Sequence, residues 1–322
     1  MRFELDDQQR DFAASIDGAL AAADVPRAIR AWSTGDAAPG LQVWATLADL
    51  GVTALMVAEE FDGIDAHPVD LVVAAERLAR WGVPGPVAES IAVAPLLLAG
   101  DERSSSLASG ELIATVAMPP LVPRAVDADI AGVTLVAADG EVRDAEAGNR
   151  HDSVDPSRHL VDVIATGEAR TADTARAFEF GALATAAQLI GAGQAMLVGS
   201  VDYAKQRSQF GRVIGSYQAI KHALADVHIA VELARPLVYG AALSLADDSP
   251  DTARDVSAAK AAASDAALLA ARTSLQTHGA IGYTQEHDLS LLILRVQALH
   301  SAWGDPTWHR RRVLEALAGS PS

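Results

Sequence analysis

The chain has 322 residues, half of them hydrophobic, a formal net charge of −17 and no cysteine. That much apolar material builds a packed core and fits one large domain or two to three small ones. The acidic balance argues against general nucleic-acid binding, which needs clustered Lys and Arg, while leaving room for a local basic pocket; the missing thiols exclude disulfides, thiolate catalysis and Cys-ligated metals.

The N-terminal stretch MRFELDDQQRDF lacks the basic region and apolar core of a secretory signal. No uninterrupted apolar run reaches bilayer-spanning length. The expectation is a soluble cytoplasmic protein that binds neither membrane nor nucleic acid. Residues 1–108 read as a helical domain. Phe12, Ile16, Ala19 and Leu20 recur at helical spacing. LQVWATLADLG stops at Gly51, and HPVDLVVAAERLARWG stops at Gly82. Pro84 and Pro86 then break the chain. Residues 109–170 change character: LIATVAM, GVTLVAA and HLVDVIATG are short runs rich in β-branched residues, and Asp139-Gly140 is a hairpin signal. From 171 to 322 the chain is helical again. One long, small-residue-rich helix is followed by a helix with Ile220, Leu224, Val227, Val231, Ala234 and Val238 in one stripe, which Pro236 is expected to kink. A third helix covers Thr252 to Thr277, a fourth starts near Glu286, and a short one closes the chain. The fold expected is mainly α with a small β middle domain and a C-terminal antiparallel four-helix bundle.

Two stretches of that bundle carry chemistry. In RSQFGRVIGSYQ, 207–218, Arg207 offers a planar fork of donors suited to a diphosphate. Gln209, Gln218 and Gln276 can both donate and accept, as ribose and adenine edges require. In QTHGAIGYTQEHDLSLLILR, 276–295, Gly279 and Gly282 allow backbone N–H groups close to a ligand. Taken singly, Arg207 is a surface cation, Gly211 a turn residue and Gly279 a helix cap. His222 and His228, six apart, do not share a helix face at metal-ligating spacing, so no metal site is expected.

Together the two stretches resemble the flavin-binding signatures of the acyl-CoA dehydrogenase family: an Arg-x-x-Phe-Gly turn with a later Gln, then Gln-x-x-Gly-Gly-x-Gly-Tyr leading to an Arg. The matches are Arg207, Phe210, Gly211 and Gln218, then Gln276, Gly279, Gly282, Tyr283 and Arg295, with Ala280 in place of the second glycine. LADLGVTALMVAEEFDGID and AAERLARWGVPGPVAES are similar to the family's N-terminal half. The resemblance implies α,β-dehydrogenation of an acyl-CoA thioester by FAD held at a subunit interface, the arginine turn of one subunit meeting the glycine stretch of its neighbour. It also implies a carboxylate base, on the loop after the fourth helix or on the first bundle helix. Those positions fall on Gly304 and Gly181, and glycine takes no proton. Asp305 and Glu179 lie nearby in sequence. Glu179, two residues off on a helix, is turned about 200° away; Asp305 also reads as a helix cap ahead of Pro306. The middle segment VAMPPLVPRAVDAD lacks the family's Thr-Glu-Pro-x-x-Gly-Ser-Asp stretch. These departures resemble the shortened, base-less subunit of actinobacterial α2β2 dehydrogenases, including those of steroid degradation, and imply a full-length partner that binds most of the acyl-CoA. The alternatives are an active homo-oligomer with a relocated base and a non-enzymatic scaffold.

Overall fold

Asp6 accepts the backbone N–H of Gln9 at 2.8 Å, and the Gln9 side chain accepts the Asp6 N–H at 3.2 Å. This capping box starts α1 (Asp7–Ala22), which buries Ile16 and Leu20. The computed structural model describes residues 4–284 and 287–319; the Tyr283 side chain and a helix start at Glu286 lie outside the described residues. After α1 come α2 (Val25–Ser33), α3 (Ala38–Asp49) and α4 (Pro68–Trp81). Gly82 ends α4 in the left-handed region at φ 74°, as its position in the sequence predicts. The Pro84–Pro86 break is brief. A π-helical turn at Ala88–Val93 runs directly into α5 (Ala94–Leu97), and α6 (Arg103–Ala108) follows.

The middle segment forms β1 (Ala114–Ala117), β2 (Ala125–Val126), β3 (Val133–Ala138), β4 (Glu141–His151), β5 (Leu160–Ala165) and β6 (Arg170–Thr171). The strand order is β1-β3-β4-β5-β2, with β6 beside β4. β1 and β3 run parallel, and Ala114 faces Val133. β3 and β4 form a hairpin in which Ala138 faces Glu141. Asp139 (φ 51°) and Gly140 (φ 81°) make its turn, since a two-residue hairpin turn of this hand needs positive φ at both central positions.

The C-terminal part contains α7 (Thr174–Gln206), a small hairpin of β7 (Ser208–Gln209) and β8 (Arg212–Val213), α8 (Gln218–Ala246), α9 (Thr252–His278), α10 (Leu289–Ser301) and α11 (Pro306–Gly319). α7 is the spine. Its small residues let other helices come close: a Cβ on Gly191 would lie 2.0 Å from the Glu76 carbonyl oxygen of α4. α8 buries Leu224, Val227, Val231, Ala234 and Val238, the stripe expected from the sequence, and it continues through Pro236. A second apolar row on α8 is exposed: Ile229, Leu233 and Leu237, with Leu233 at 70%. α7 and α8 are both long and apolar enough to cross a membrane by length and composition, contrary to the expectation from uninterrupted runs; 83% of the α7 window is buried inside the fold, against 39% for α8.

Arg295 of α10 joins all three parts. It is 3% exposed. Its Nε donates to Asp155 at 2.5 Å, Nη2 donates to Ser157 at 3.0 Å, and Nη1 donates to the Val83 carbonyl at 2.9 Å. The Asp155 carboxyl, although raised by burial, is held below the usual carboxylate range by the charge and donors of Arg295 and Ser157. Removing one member of a buried pair strands the other charge. Asp155→Ala is therefore expected to lower stability by about 3–5 kcal/mol, as read from urea unfolding at neutral pH.

Candidate functional site

The arginine turn is a tight hairpin. Phe210 (φ 52°) and Gly211 (φ 81°) form its two-residue tip, which sets the phenyl ring 93% exposed. A bulky residue at positive φ is rare and costs energy, so the hairpin must be braced. The Arg212 guanidinium lies 3.9 Å from the centre of the Tyr217 ring, and the Tyr217 hydroxyl donates to the Gln209 carbonyl at 3.2 Å. Arg207 is exposed, and its guanidinium makes no ion pair or hydrogen bond among the described residues. Gln209 and Gln218 are exposed beside it.

Gln276 and Gly279 are exposed where α9 ends. Gly279 takes φ 66°, ψ −141°, a conformation essentially confined to glycine. The end of α7 meets the end of α9 through the stacked rings of Tyr203 and His278, 4.2 Å apart, and through Ser200 donating to Ser274 at 2.8 Å. The structure therefore sets both signature stretches at one end of the bundle, with the hairpin projecting from it.

The two glycines at base positions meet in a different corner, which is full. A Cβ on Gly181 of α7 would lie 2.4 Å from ring carbons of Trp303. A Cβ on Gly304 would lie 2.7 Å from His309 Nε2 and 2.9 Å from Trp308 Cε3. The Trp303 indole is 1% exposed, and its Nε1–H donates to Glu89 at 3.1 Å. His309 is fully buried. Its Nε2–H donates to the Trp303 carbonyl at 2.9 Å, and its Nδ1 accepts from the Ser257 hydroxyl at 3.1 Å. That is a neutral imidazole, and burial pushes its pKa down to about 4.

Neither nearby carboxylate is free. Glu179 is buried and paired with Arg312, whose Nη1 donates at 3.0 Å while Nη2 binds the other oxygen. Burial raises its pKa, and Arg312 opposes the rise. Asp305 accepts the backbone N–H groups of Thr307 at 2.7 Å and Trp308 at 2.9 Å, which caps α11. Those bonds, with Trp308 first, hold its pKa down.

Below this corner lies Lys260, which sequence reasoning missed. It is fully buried in α9. Its Nζ donates at 3.2 Å to the carbonyls of Leu299, His300 and Gly304 and to the Ser264 hydroxyl. An ammonium here meets the negative end of the α10 dipole and its orphan carbonyls. Burial lowers its pKa to about 7, with Asp305 opposing. The available signal was a lone cation inside the alanine run AAKAAAS. Glu89, inside the apolar run VAESIAVA, was missed too; its Oε2 is buried without a partner. Glu89 and Trp303 line a cleft of about 370 Å³ between the middle domain and α10, together with Leu121, Arg124, Ser153 and Arg158. Arg158 is 5% exposed and donates no side-chain hydrogen bond among the described residues.

The His309 corner gives a pH test. His309 is neutral in the fold down to about pH 4, whereas an unfolded histidine takes its proton near 6.5. Its contribution is fully present above 6.5 and is lost as the pH falls through about 4. It amounts to about 3 kcal/mol by linkage. Urea unfolding at pH 6.5 and pH 4.5 is expected to show a smaller loss for His309→Gln than for the unmodified chain.

Two family models match the sequence. Residues 6–106 match the acyl-CoA dehydrogenase N-terminal domain, and residues 171–318 match the acyl-CoA dehydrogenase C-terminal domain. Acyl-CoA dehydrogenase IpdE2 of Mycolicibacterium smegmatis is 34% identical over 296 residues, covering 89% of this chain and 92% of the relative. IpdE2 of Mycobacterium tuberculosis is 29% identical, covering 92% of this chain and 93% of its own. Among solved structures, the ChsE4-ChsE5 complex from Mycobacterium tuberculosis superposes with a TM-score of 0.86 at 22% identity and full coverage of both chains. The Tcur3481-Tcur3483 steroid ACAD superposes with a TM-score of 0.85 at 20% identity, covering 97% of this chain and 98% of that one. The solved structures share the fold, the sequence relatives match about nine-tenths of the chain, and on these grounds the chain belongs to the acyl-CoA dehydrogenase family.

Proposed function

We propose that the chain is a subunit of a flavin-dependent acyl-CoA dehydrogenase complex, that it contributes to FAD binding at a subunit interface, and that it supplies no catalytic base. The observation that carries this reading is the filled corner: Gly181 and Gly304 lie against Trp303, Trp308 and His309, which take the room a carboxylate would need. α,β-Dehydrogenation needs a base for the α-proton. FAD, when bound, supplies the acceptor for the β-hydride.

The residues at the bundle end fit a dinucleotide. Arg207 is exposed with its donors unengaged among the described residues, and Gly279 opens the backbone in a glycine-only conformation. Arg207 would hold the diphosphate; Gln209, Gln218 and Gln276 would bond ribose and adenine edges; Phe210, bare on its hairpin tip, would pack against the cofactor or a neighbouring chain. A full-length dehydrogenase subunit in an α2β2 assembly would supply the base and bind most of the acyl-CoA. The exposed Ile229, Leu233 and Leu237 row gives such a partner an apolar face to cover. The complexes among the structural neighbours support the same arrangement, and the steroid ACAD among them supports a steroid-derived acyl-CoA as substrate. An active homo-oligomer with a relocated base has less support, because Asp305 caps α11 and Glu179 is paired with Arg312. A scaffold without flavin has no use for the open arginine hairpin.

Co-expression with a full-length acyl-CoA dehydrogenase from the same genome is expected to give a yellow heterotetramer, and the chain alone a flavin-poor protein. One flavin per lone chain together with acyl-CoA oxidation would overturn the reading. In the complex, Arg207→Ala is expected to weaken flavin retention by about tenfold or more, measured as flavin absorbance per chain after gel filtration. Gly181→Glu is expected to confer no acyl-CoA oxidation on the lone chain and to destabilise it by about 1–3 kcal/mol through overpacking, seen as a lower melting temperature.

A further inference from the structure

A second polar niche lies away from the bundle end, between the middle domain and α2. Asp127 follows β2 at φ 54°, and its side chain is fully buried. Its Oδ1 accepts the Trp32 indole N–H at 3.2 Å and the backbone N–H of His159 at 3.0 Å. Its Oδ2 is buried with no partner. His159 precedes β5, is 2% exposed, and neither of its ring nitrogens makes a hydrogen bond. Nδ1 lies 3.2 Å from Asp127 Oδ1 and 3.7 Å from Asp129 Oδ1. Ligand atoms of Asp127, Asp129 and His159 all fall within 4.8 Å of one another.

Buried polar atoms are almost always satisfied, so an imidazole with neither nitrogen bonded, next to a carboxylate that keeps one oxygen open, calls for a missing group. A protonated imidazole bonding both carboxylates would be one answer, but the short Nδ1–Asp127 approach closes no hydrogen bond. A metal ion is the other. Zn–N and Zn–O bonds of about 2.1 Å at tetrahedral angles put neighbouring ligand atoms about 3.4 Å apart. The observed 3.2 and 3.7 Å bracket that edge. Asp129 keeps 35% of its side chain exposed, giving an entry path and room for a water as fourth ligand. Arg150 binds the other Asp129 oxygen at 3.3 Å and steadies the carboxylate from outside. One nitrogen and two oxygens suit a borderline transition metal; Mg²⁺ and Ca²⁺ want six or more oxygens.

We propose that Asp127, Asp129 and His159 bind one divalent transition-metal ion of the Zn²⁺ type, which fastens the middle domain to α2 through the Asp127–Trp32 bond. The spacing of His222 and His228 points to no metal site on the helices. Asp127 and His159 stand 32 residues apart and meet only through the fold.

The test is titration of the chelator-treated full chain with ZnCl2, followed by calorimetry and thermal melting, with MgCl2 in parallel. One Zn²⁺ per chain with a raised melting temperature, and neither effect from Mg²⁺, is expected. Asp129→Asn, at the rim, is expected to weaken Zn²⁺ binding more than about tenfold, and His159→Gln to abolish it. Absence of binding heat and of any melting shift in the folded chain overturns the proposal. So does Zn²⁺ binding that Asp129→Asn leaves unchanged, because that places the ion on other histidines. If His159→Gln does not fold, the Asp129→Asn comparison decides alone.

Discussion

One buried cation sets how the three parts of this molecule meet. Arg295 leaves α10 and spends its donors on Asp155 and Ser157 of the middle domain and on the Val83 carbonyl behind α4. An unpaired guanidinium in that position would cost too much to bury, so the loop at 155–157 and the turn after Gly82 have to arrive together. The cleft beside α10, the Trp303 corner and the end of α10 over Lys260 all take their positions from that junction. The sequence resemblance points to Arg295 as the end of a flavin signature. In the structure its donors go to protein groups.

The region where the family resemblance places a base is closely packed, and its charged groups are already paired or capping. Trp303 fills it, Glu89 holds the indole, and His309 is kept neutral by burial, with the charge of Lys260 acting in the same direction. The nearest cation, Lys260, faces carbonyls at the C-terminal end of α10 and so works as a helix cap. Each ionisable group around Gly181 and Gly304 already has a structural partner. Arg207 at the far end of the bundle is the contrast, a charged group with its donors open.

Much of the architecture could be read in advance because it rests on local rules. The α8 stripe, the Gly82 stop, the Asp139-Gly140 hairpin and the Asp305–Pro306 helix start are all set by residues within a few positions of each other. The residues of the arginine turn and the glycine stretch stand out for the same reason, since each lies in a short motif; their part in flavin binding is a proposal. What stayed hidden depends on distant partners. Trp303 meets Gly181 across more than a hundred residues, Lys260 reaches carbonyls about 40 positions on, and His159 meets Asp127 at the end of the β2–β5 pair. No periodicity or spacing carries such pairings. The π-helical turn at Ala88–Val93 was missed because two prolines read as a stop, although the chain resumes its helix just beyond them.

The indole over Gly181 has a historical consequence. A carboxylate at 181 and the ring of Trp303 cannot share the same space. Adding the carboxylate first overpacks the core; trimming Trp303 first opens a void and strands Glu89. Each single step towards an acidic side chain there leads through a less stable protein. Trp303 over Gly181 therefore works as a ratchet: putting a carboxylate at 181 without loss of stability needs two changes at once.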